Sequence, residues 1–173
     1  VGLLYIGRPR FQPGTAAAVV EMLLAYGFDP AQKRVVIIGR SVIVGRPLAL
    51  MMMLKGRGGN ATVTVCHSQT QDLPKVCREA DILIPAVGIA ELVRADWVKE
   101  GAVVVDVGIN RVPDATKKMG YRLLGDVSFD EVERKAGAIA QVPGGVGPMT
   151  VAVLMSNLLR AAGCKVGNLT GEL

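Results

Sequence analysis

Short β-branched runs ending in glycine or a polar turn alternate along the chain with alanine- and leucine-rich segments of helical length. The run "KRVVIIG" (33–39) is apolar at almost every position, the pattern of a strand covered on both faces. "ATVTVCHS" (61–68), "DILIPAVG" (81–88) and "GAVVVDVGIN" (101–110) repeat the plan of a strand running into a turn. Ahead of them, Thr15 predicts the N-cap of "AAAVVEMLLAYG", and Gly27 its left-handed stop. "PLALMMMLKG" (47–56) predicts a helix pressed against a sheet, with Pro47 in its first turn, and "LPKVCREA" (73–80) a shorter one. "RVPDATKKMGYRLLGDVS" predicts a loop or hairpin, "FDEVERKAG" a helix, and "TVAVLMSNLLRAAG" (150–163) a closing helix with an apolar stripe. Strands alternating with helices need crossover connections. The fold class is therefore α/β: a doubly wound, Rossmann-like, mostly parallel sheet with helices on both faces.

Composition narrows the picture. Half of the 173 residues are hydrophobic but only 4% are aromatic, which favours an aliphatic core over a base-stacking surface. The formal charge of +5 is uneven: residues 1–57 carry +6, and the remainder −1. An anion site is thus expected in the first third. The arginines there are dispersed and no aromatic residues alternate with them, so no nucleic-acid partner is expected. Cys66, Cys77 and Cys164 lack metal-ligand spacing and read as reduced thiols; no metal is expected. No apolar run approaches the roughly 20 residues of a membrane span, so no membrane partner is expected. The abrupt apolar opening from Val1 reads as part of a longer polypeptide, with apolar residues near Leu3, Leu4 and Ile6 left exposed.

The candidate chemistry sits in the turns. A parallel α/β sheet binds ligands beyond the carboxyl ends of its strands. "GRSVIVGRP" (39–47) occupies such a place, where bare amides and a helix start attract phosphate. It spells neither common phosphate signature: a dinucleotide fingerprint from Gly39 needs glycine at 41 and 44, where Ser41 and Val44 stand, and no GK[ST] follows Gly45. The second strand ends in "CHSQT", with no carboxylate to repel a 2′-phosphate, while Arg40 and Ser68 are placed to bond one. This predicts NADP over NAD. His67, in the same turn, is expected to stack on or bond the adenine end. Gly88 and Gly108 give the next turns room for an extended dinucleotide, and the glycine- and proline-rich "VPGGVGPMT" (142–150) predicts a rigid rim poor in side chains.

Taken in order, "GRSVIVGRP", "ATVTVCHS", "VVVDVGINRVPD", "GDVSFDEV" and "VPGGVGPMTVA" closely resemble the cofactor-binding domain of the bifunctional methylenetetrahydrofolate dehydrogenase and methenyltetrahydrofolate cyclohydrolase family. The resemblance implies hydride transfer from 5,10-methylenetetrahydrofolate to NADP and hydrolysis to 10-formyltetrahydrofolate, in a homodimer serving purine biosynthesis in the cytoplasm or an organellar matrix. By motif it implies that Arg40, Ser41 and Ser68 hold the 2′-phosphate side, and that the backbone at Gly39, Ile43, Val44 and Gly45 holds the pyrophosphate. Gly88 and Ile109 would line the nicotinamide half, with Thr150 near its carboxamide. Pro143, Gly144 and Gly145 would face the folate. The chain departs from the family at "PGTA" (13–16), where "PCTP" is usual, and at "AQVPGG" (140–145), where "TPVPGG" is usual. Residues 1–165 are expected to form the NADP-binding domain, with 1–14 an interdomain segment and 166–173 a flexible tail. The family's tyrosine and lysine motif lies in an N-terminal folate domain that these residues do not include, so no catalytic side chain is assigned. A stand-alone module that binds NADP without chemistry is the competing reading.

Overall fold

The computed structural model describes residues 2–163; Val1, Cys164 and the expected tail lie outside the described residues. In chain order the elements are α1 (Gly2–Tyr5), α2 (Gly14–Ala25), β1 (Arg34–Ile38), α3 (Gly45–Met53), β2 (Thr62–Cys66), α4 (Leu73–Cys77) and β3 (Ile82–Pro85). After a 3-10 turn at Ala95–Trp97 come β4 (Val103–Val105), β5 (Asn110–Pro113), β6 (Tyr121–Leu124), α5 (Phe129–Val132), β7 (Ala138–Ala140) and α6 (Val146–Ala161). Five strands form one parallel sheet in the order β2-β1-β3-β4-β7, and β5 and β6 form a separate antiparallel hairpin.

The continuous apolar runs exist because both faces of the sheet are covered. Val35, Ile37, Ile82 and Ile84 point into a core with Val19 and Leu23 of α2 and Leu48 and Met52 of α3. Val36, Ile38, Leu83 and Val104 alternate onto the opposite face, against Cys77, Val98 and Val132. Successive side chains of a strand alternate between faces, so a strand buried on both sides has no polar position to spare. β1 connects to β2 through α3 on one face, and β2 to β3 through α4 on the other. The winding direction therefore reverses at the β1/β3 junction, which is where an open α/β sheet has its crevice.

Several boundaries differ from expectation. Helix α2 begins at Gly14, and Thr15 is not its cap: the Pro13 carbonyl accepts the Ala17 N–H at 2.9 Å and no side chain caps the end. Gly27 does take a left-handed φ of +79°, with the Phe28 N–H reaching back to Leu23. Helix α6 starts at Val146, four residues before Thr150, and the three-residue strand β7 precedes the rim. Proline at the third helical position is tolerated, since its missing N–H would have no intrahelical acceptor. The expected helix after Ser128 is a single turn. Near the N-terminus Leu3 and Ile6 are exposed as expected, but Leu4 is buried at 2% exposure in the core that α3 shares. Helix α6 buries Val146, Val153 and Ser156 and leaves Val151, Leu154, Met155, Leu158 and Leu159 exposed along one stripe.

Leu83→Ala, at the fully buried centre of β3, is expected to cost about 2–5 kcal/mol. Leu154→Ala, on the exposed stripe, is expected to stay within about 0.5 kcal/mol. Urea unfolding of both variants measures the difference.

Candidate functional site

The crevice is built where β1 and β3 end side by side. Gly39 leaves β1 with φ +122°, and a Cβ there would collide with the Ala86 carbonyl oxygen that follows β3. A Cβ on Gly45 would collide with the Gly39 carbonyl, so the 39–45 loop closes too tightly for a side chain at either end. The Ser41 hydroxyl oxygen accepts the N–H groups of Val44 at 3.1 Å and Gly45 at 3.4 Å, and the Ser41 carbonyl accepts that of Arg46. Accepting these two N–H groups leaves the O–H hydrogen of Ser41 available as a donor. The hydroxyl is a structural acceptor inside the turn, and the amides of Val44 and Gly45 are partnered by it. Among the described residues, the backbone N–H groups of Val42 and Ile43 have no internal acceptor, at the start of α3 where the helix dipole favours an anion.

The neighbouring turn is fixed by its own side chains. The His67 N–H donates to Thr70 Oγ1 at 2.9 Å, and the Thr70 N–H to the His67 carbonyl at 2.8 Å. The Gln69 N–H donates to His67 Nδ1 at 3.2 Å, so the neutral ring carries its proton on Nε2. Ser68 is exposed at the apex of this turn, and Arg40 is exposed on the adjoining one. The two turns are tied by the Gly39 N–H donating to the Cys66 carbonyl at 2.8 Å. Because Ile38 pairs with Cys66, Arg40 and Ser68 each lie two residues beyond a matched position on adjacent strands. Burial pushes the Cys66 thiol up, and burial with Cys66 nearby pushes Cys77 up to about 12. Both thiols are therefore protonated packing groups of low reactivity.

The turns after β3 and β4 are held by two buried carboxylates that the sequence reading did not single out. Asp126 is fully buried and accepts the N–H groups of Val87 at 2.6 Å, Gly88 at 3.0 Å and Ile89 at 3.0 Å, together with the Asn110 side-chain amide at 2.9 Å. Asp106, 3% exposed, accepts the N–H groups of Gly108 at 2.9 Å, Asp126 at 3.0 Å and Val127 at 3.0 Å. A Cβ on Gly108 would meet the Asp126 carboxylate, and one on Gly125 the Asp106 carboxylate. Burial pushes the Asp106 carboxyl up to about 6; the three amide donors hold it back, and the nearby Asp126 adds to the rise. The signal available in the sequence was an aspartate at the apolar end of "VVVDVG" and another after glycine in "GDVS". Apart from Gly108, which lies in the turn of Asp106 itself, the partners are 16 to 39 residues away. Ile89 and Ile109, on the turns so held, are exposed.

The rim follows β7 along the same edge of the sheet. Gly144 has φ +106°, and a Cβ on Gly145 would lie 2.5 Å from the Gln141 carbonyl oxygen, whose acceptor the Gly145 N–H already uses at 2.9 Å. The Val142–Pro143 peptide is cis. Gly144 and Gly145 border an open cleft of about 790 Å³ lined also by Met22, Tyr26, Val105 and Met149. The Thr150 hydroxyl donates to the Val146 carbonyl at 3.1 Å within α6, and its methyl group faces Gly14. No cluster of three or more His, Cys, Asp or Glu among the described residues is placed to hold a metal ion, and no helix there is long and apolar enough to cross a membrane.

Known proteins are similar to this chain in sequence and in fold. The family model described as the NAD(P)-binding domain of tetrahydrofolate dehydrogenase/cyclohydrolase matches residues 13–166. The bifunctional protein FolD of Bacteroides fragilis is 54% identical over 161 residues, which cover 93% of this chain and 55% of that protein. The crystal structure of the bifunctional FolD methylenetetrahydrofolate dehydrogenase/cyclohydrolase from Campylobacter jejuni aligns with a TM-score of 0.85 at 47% identity, covering 94% of this chain and 55% of that one. The Trypanosoma brucei enzyme, complexed with NADP cofactor and inhibitor, aligns with a TM-score of 0.85 at 45% identity, covering 92% and 54%. The chain spans about half the length of the curated relatives it matches.

The Asp106 carboxyl generates a pH prediction. With its folded value near 6, above the ordinary 3.8, the native state holds this proton more tightly than the unfolded chain does. Its contribution to stability is therefore complete below about pH 4 and is lost as pH rises through about 6, a change of about 1–3 kcal/mol. Urea midpoints at pH 4.5 and 7.5 are expected to show this slope in the unaltered protein and a smaller one in Asp106→Asn.

Proposed function

Since the chain belongs to the tetrahydrofolate dehydrogenase/cyclohydrolase family through its NAD(P)-binding domain, we propose that it is the NADP-holding half of an enzyme that oxidises 5,10-methylenetetrahydrofolate and hydrolyses the methenyl product. NADP supplies the hydride acceptor. The residues of this chain bind and orient it along the carboxyl edge of the sheet: the 2′-phosphate among Arg40, Ser41 and Ser68, with His67 beside the adenine, and the pyrophosphate against the 39–45 loop. The nicotinamide half runs toward Gly88 and Ile109, near Thr150. The Pro143, Gly144 and Gly145 rim faces the folate.

The observation that carries this reading is the matched placement of Arg40 and Ser68 on adjacent strand ends, tied through the Gly39 and Cys66 backbone, with no carboxylate in the "CHSQT" turn. Gly39 closes against Ala86 and Gly45 against Gly39 without side chains between them, and bare backbone amides at such a turn suit a pyrophosphate. Hydride transfer needs donor and acceptor held between two walls. We assign the second, folate-binding wall to the part of the relatives outside the match. The exposed Leu3, Ile6 and α6 stripe are the surfaces we assign to packing against it. A homodimer acting in the cytoplasm or an organellar matrix, in the supply of one-carbon units for purine biosynthesis, belongs to the same proposal.

A charge-assisted hydrogen bond to the 2′-phosphate is worth about 1.5–3 kcal/mol, so NADP is expected to bind about 10- to 100-fold more tightly than NAD. Arg40→Ala is expected to weaken NADP about tenfold while leaving NAD within about twofold. Isothermal titration calorimetry of both cofactors checks this, and equal affinities in the unaltered chain would refute the assignment.

A further inference from the structure

Four donors converge on one side chain at the nicotinamide end of the crevice. Asp126 takes three consecutive amides from the turn after β3 and the side-chain amide of Asn110 from the base of the β5–β6 hairpin. Asn110 Nδ2 also reaches the Leu124 carbonyl at 3.3 Å, which closes the hairpin base onto the same group. Asp126 is itself located by Asp106, which accepts its N–H and those of Gly108 and Val127. The Glu91 and Val93 N–H groups donate to the Gly125 and Asp126 carbonyls, so the segment is held on the β3 side by backbone as well.

We propose that Asp126 is a positioning residue for the nicotinamide half of the cofactor, with Asp106 as the group that positions Asp126. This rests on the reading of the crevice as an NADP site. Only a carboxylate serves at this position. Each oxygen accepts from two donors, with Val87 and Gly88 on one, Ile89 and Asn110 on the other. Replacing either oxygen with an NH2 group sets donor against donor. Asp126 touches no part of the expected cofactor path itself, since it is fully buried beneath the turns. Its effect is to set the exposed Ile89 and Ile109, carried on turns from two different strands, in a fixed relation to each other. The Arg40 and Ser68 turns lie on β1 and β2 and take no hydrogen bond from either aspartate. The two turns touch through backbone at Gly39 and Ala86, but the side-chain bonds that shape the Arg40 and Ser68 turns are their own, from Ser41 and Thr70.

The separation supplies the test. NADP engages both ends of the crevice, while adenosine 2′,5′-bisphosphate engages only the Arg40 and Ser68 end. In calorimetry, Asp126→Asn is expected to weaken NADP by about tenfold or more and to leave adenosine 2′,5′-bisphosphate within about twofold. Asn110→Ala, which removes one donor at the edge of the network and leaves the buried carboxylate intact, is expected to shift NADP in the same direction by a smaller factor. It keeps the test decisive if Asp126→Asn fails to fold. Equal weakening of the two ligands, or no change in either, overturns the proposal while leaving the NADP site standing. Absence of NADP binding by the unaltered chain overturns the parent reading and this one together.

Discussion

The backbone passes so close to itself at the β1/β3 junction that no side chain fits, and the site depends on that approach. The Ala86 N–H donates to the Ile38 carbonyl at 2.8 Å, which extends the parallel ladder one step past the strand ends. Gly39 then turns away with a positive φ directly against the Ala86 carbonyl. A larger residue at 39 would force the two turns apart, and with them the loop that closes on Gly45. The covered faces of the sheet make this approach rigid: Ile37, Ile38, Leu83 and Ile84 pack on both sides of the junction and leave the strand ends little freedom to separate.

The strands were legible in the sequence for the same physical reason that they are stable. A strand covered on both faces must be apolar at every position, so "VVII" and "ILIP" announce themselves. Strand β7 does not, because "AIA" is three residues long with two alanines, and only its pairing with β4 makes it a strand. The start of α6 was hidden by Pro148, which reads as a break but stands at the third helical position, where a missing N–H costs nothing. Thr15 resembled a cap because hydroxyl residues favour that position, yet the Pro13 carbonyl had already begun the helix two residues earlier.

At the site, the glycines and the adjacency of Arg40 and Ser68 could be read from turn chemistry, since each stands where its own strand ends. Ser41 shows the boundary of that approach. Its oxygen satisfies two amides of its own turn, a local role that the turn's sequence does not announce. Asp106 and Asp126 were beyond reach for a different reason. Each is one acidic residue in an apolar stretch, and most of its partners come from segments that meet only when the sheet is assembled.

The β5–β6 hairpin leaves and rejoins the body between these two aspartates, with Asn110 opposite Leu124 at its base and an exposed connection at 114–120. An excursion pinned at its root insulates the body from events at its tip. Lengthening, shortening or decorating the 114–120 connection alters a closed appendage whose ends stay fixed, and loop closure adds only about 0.6 kcal/mol for each doubling of length. The hairpin tip is thus open to divergence and to the engineered insertion of a tag or reporter.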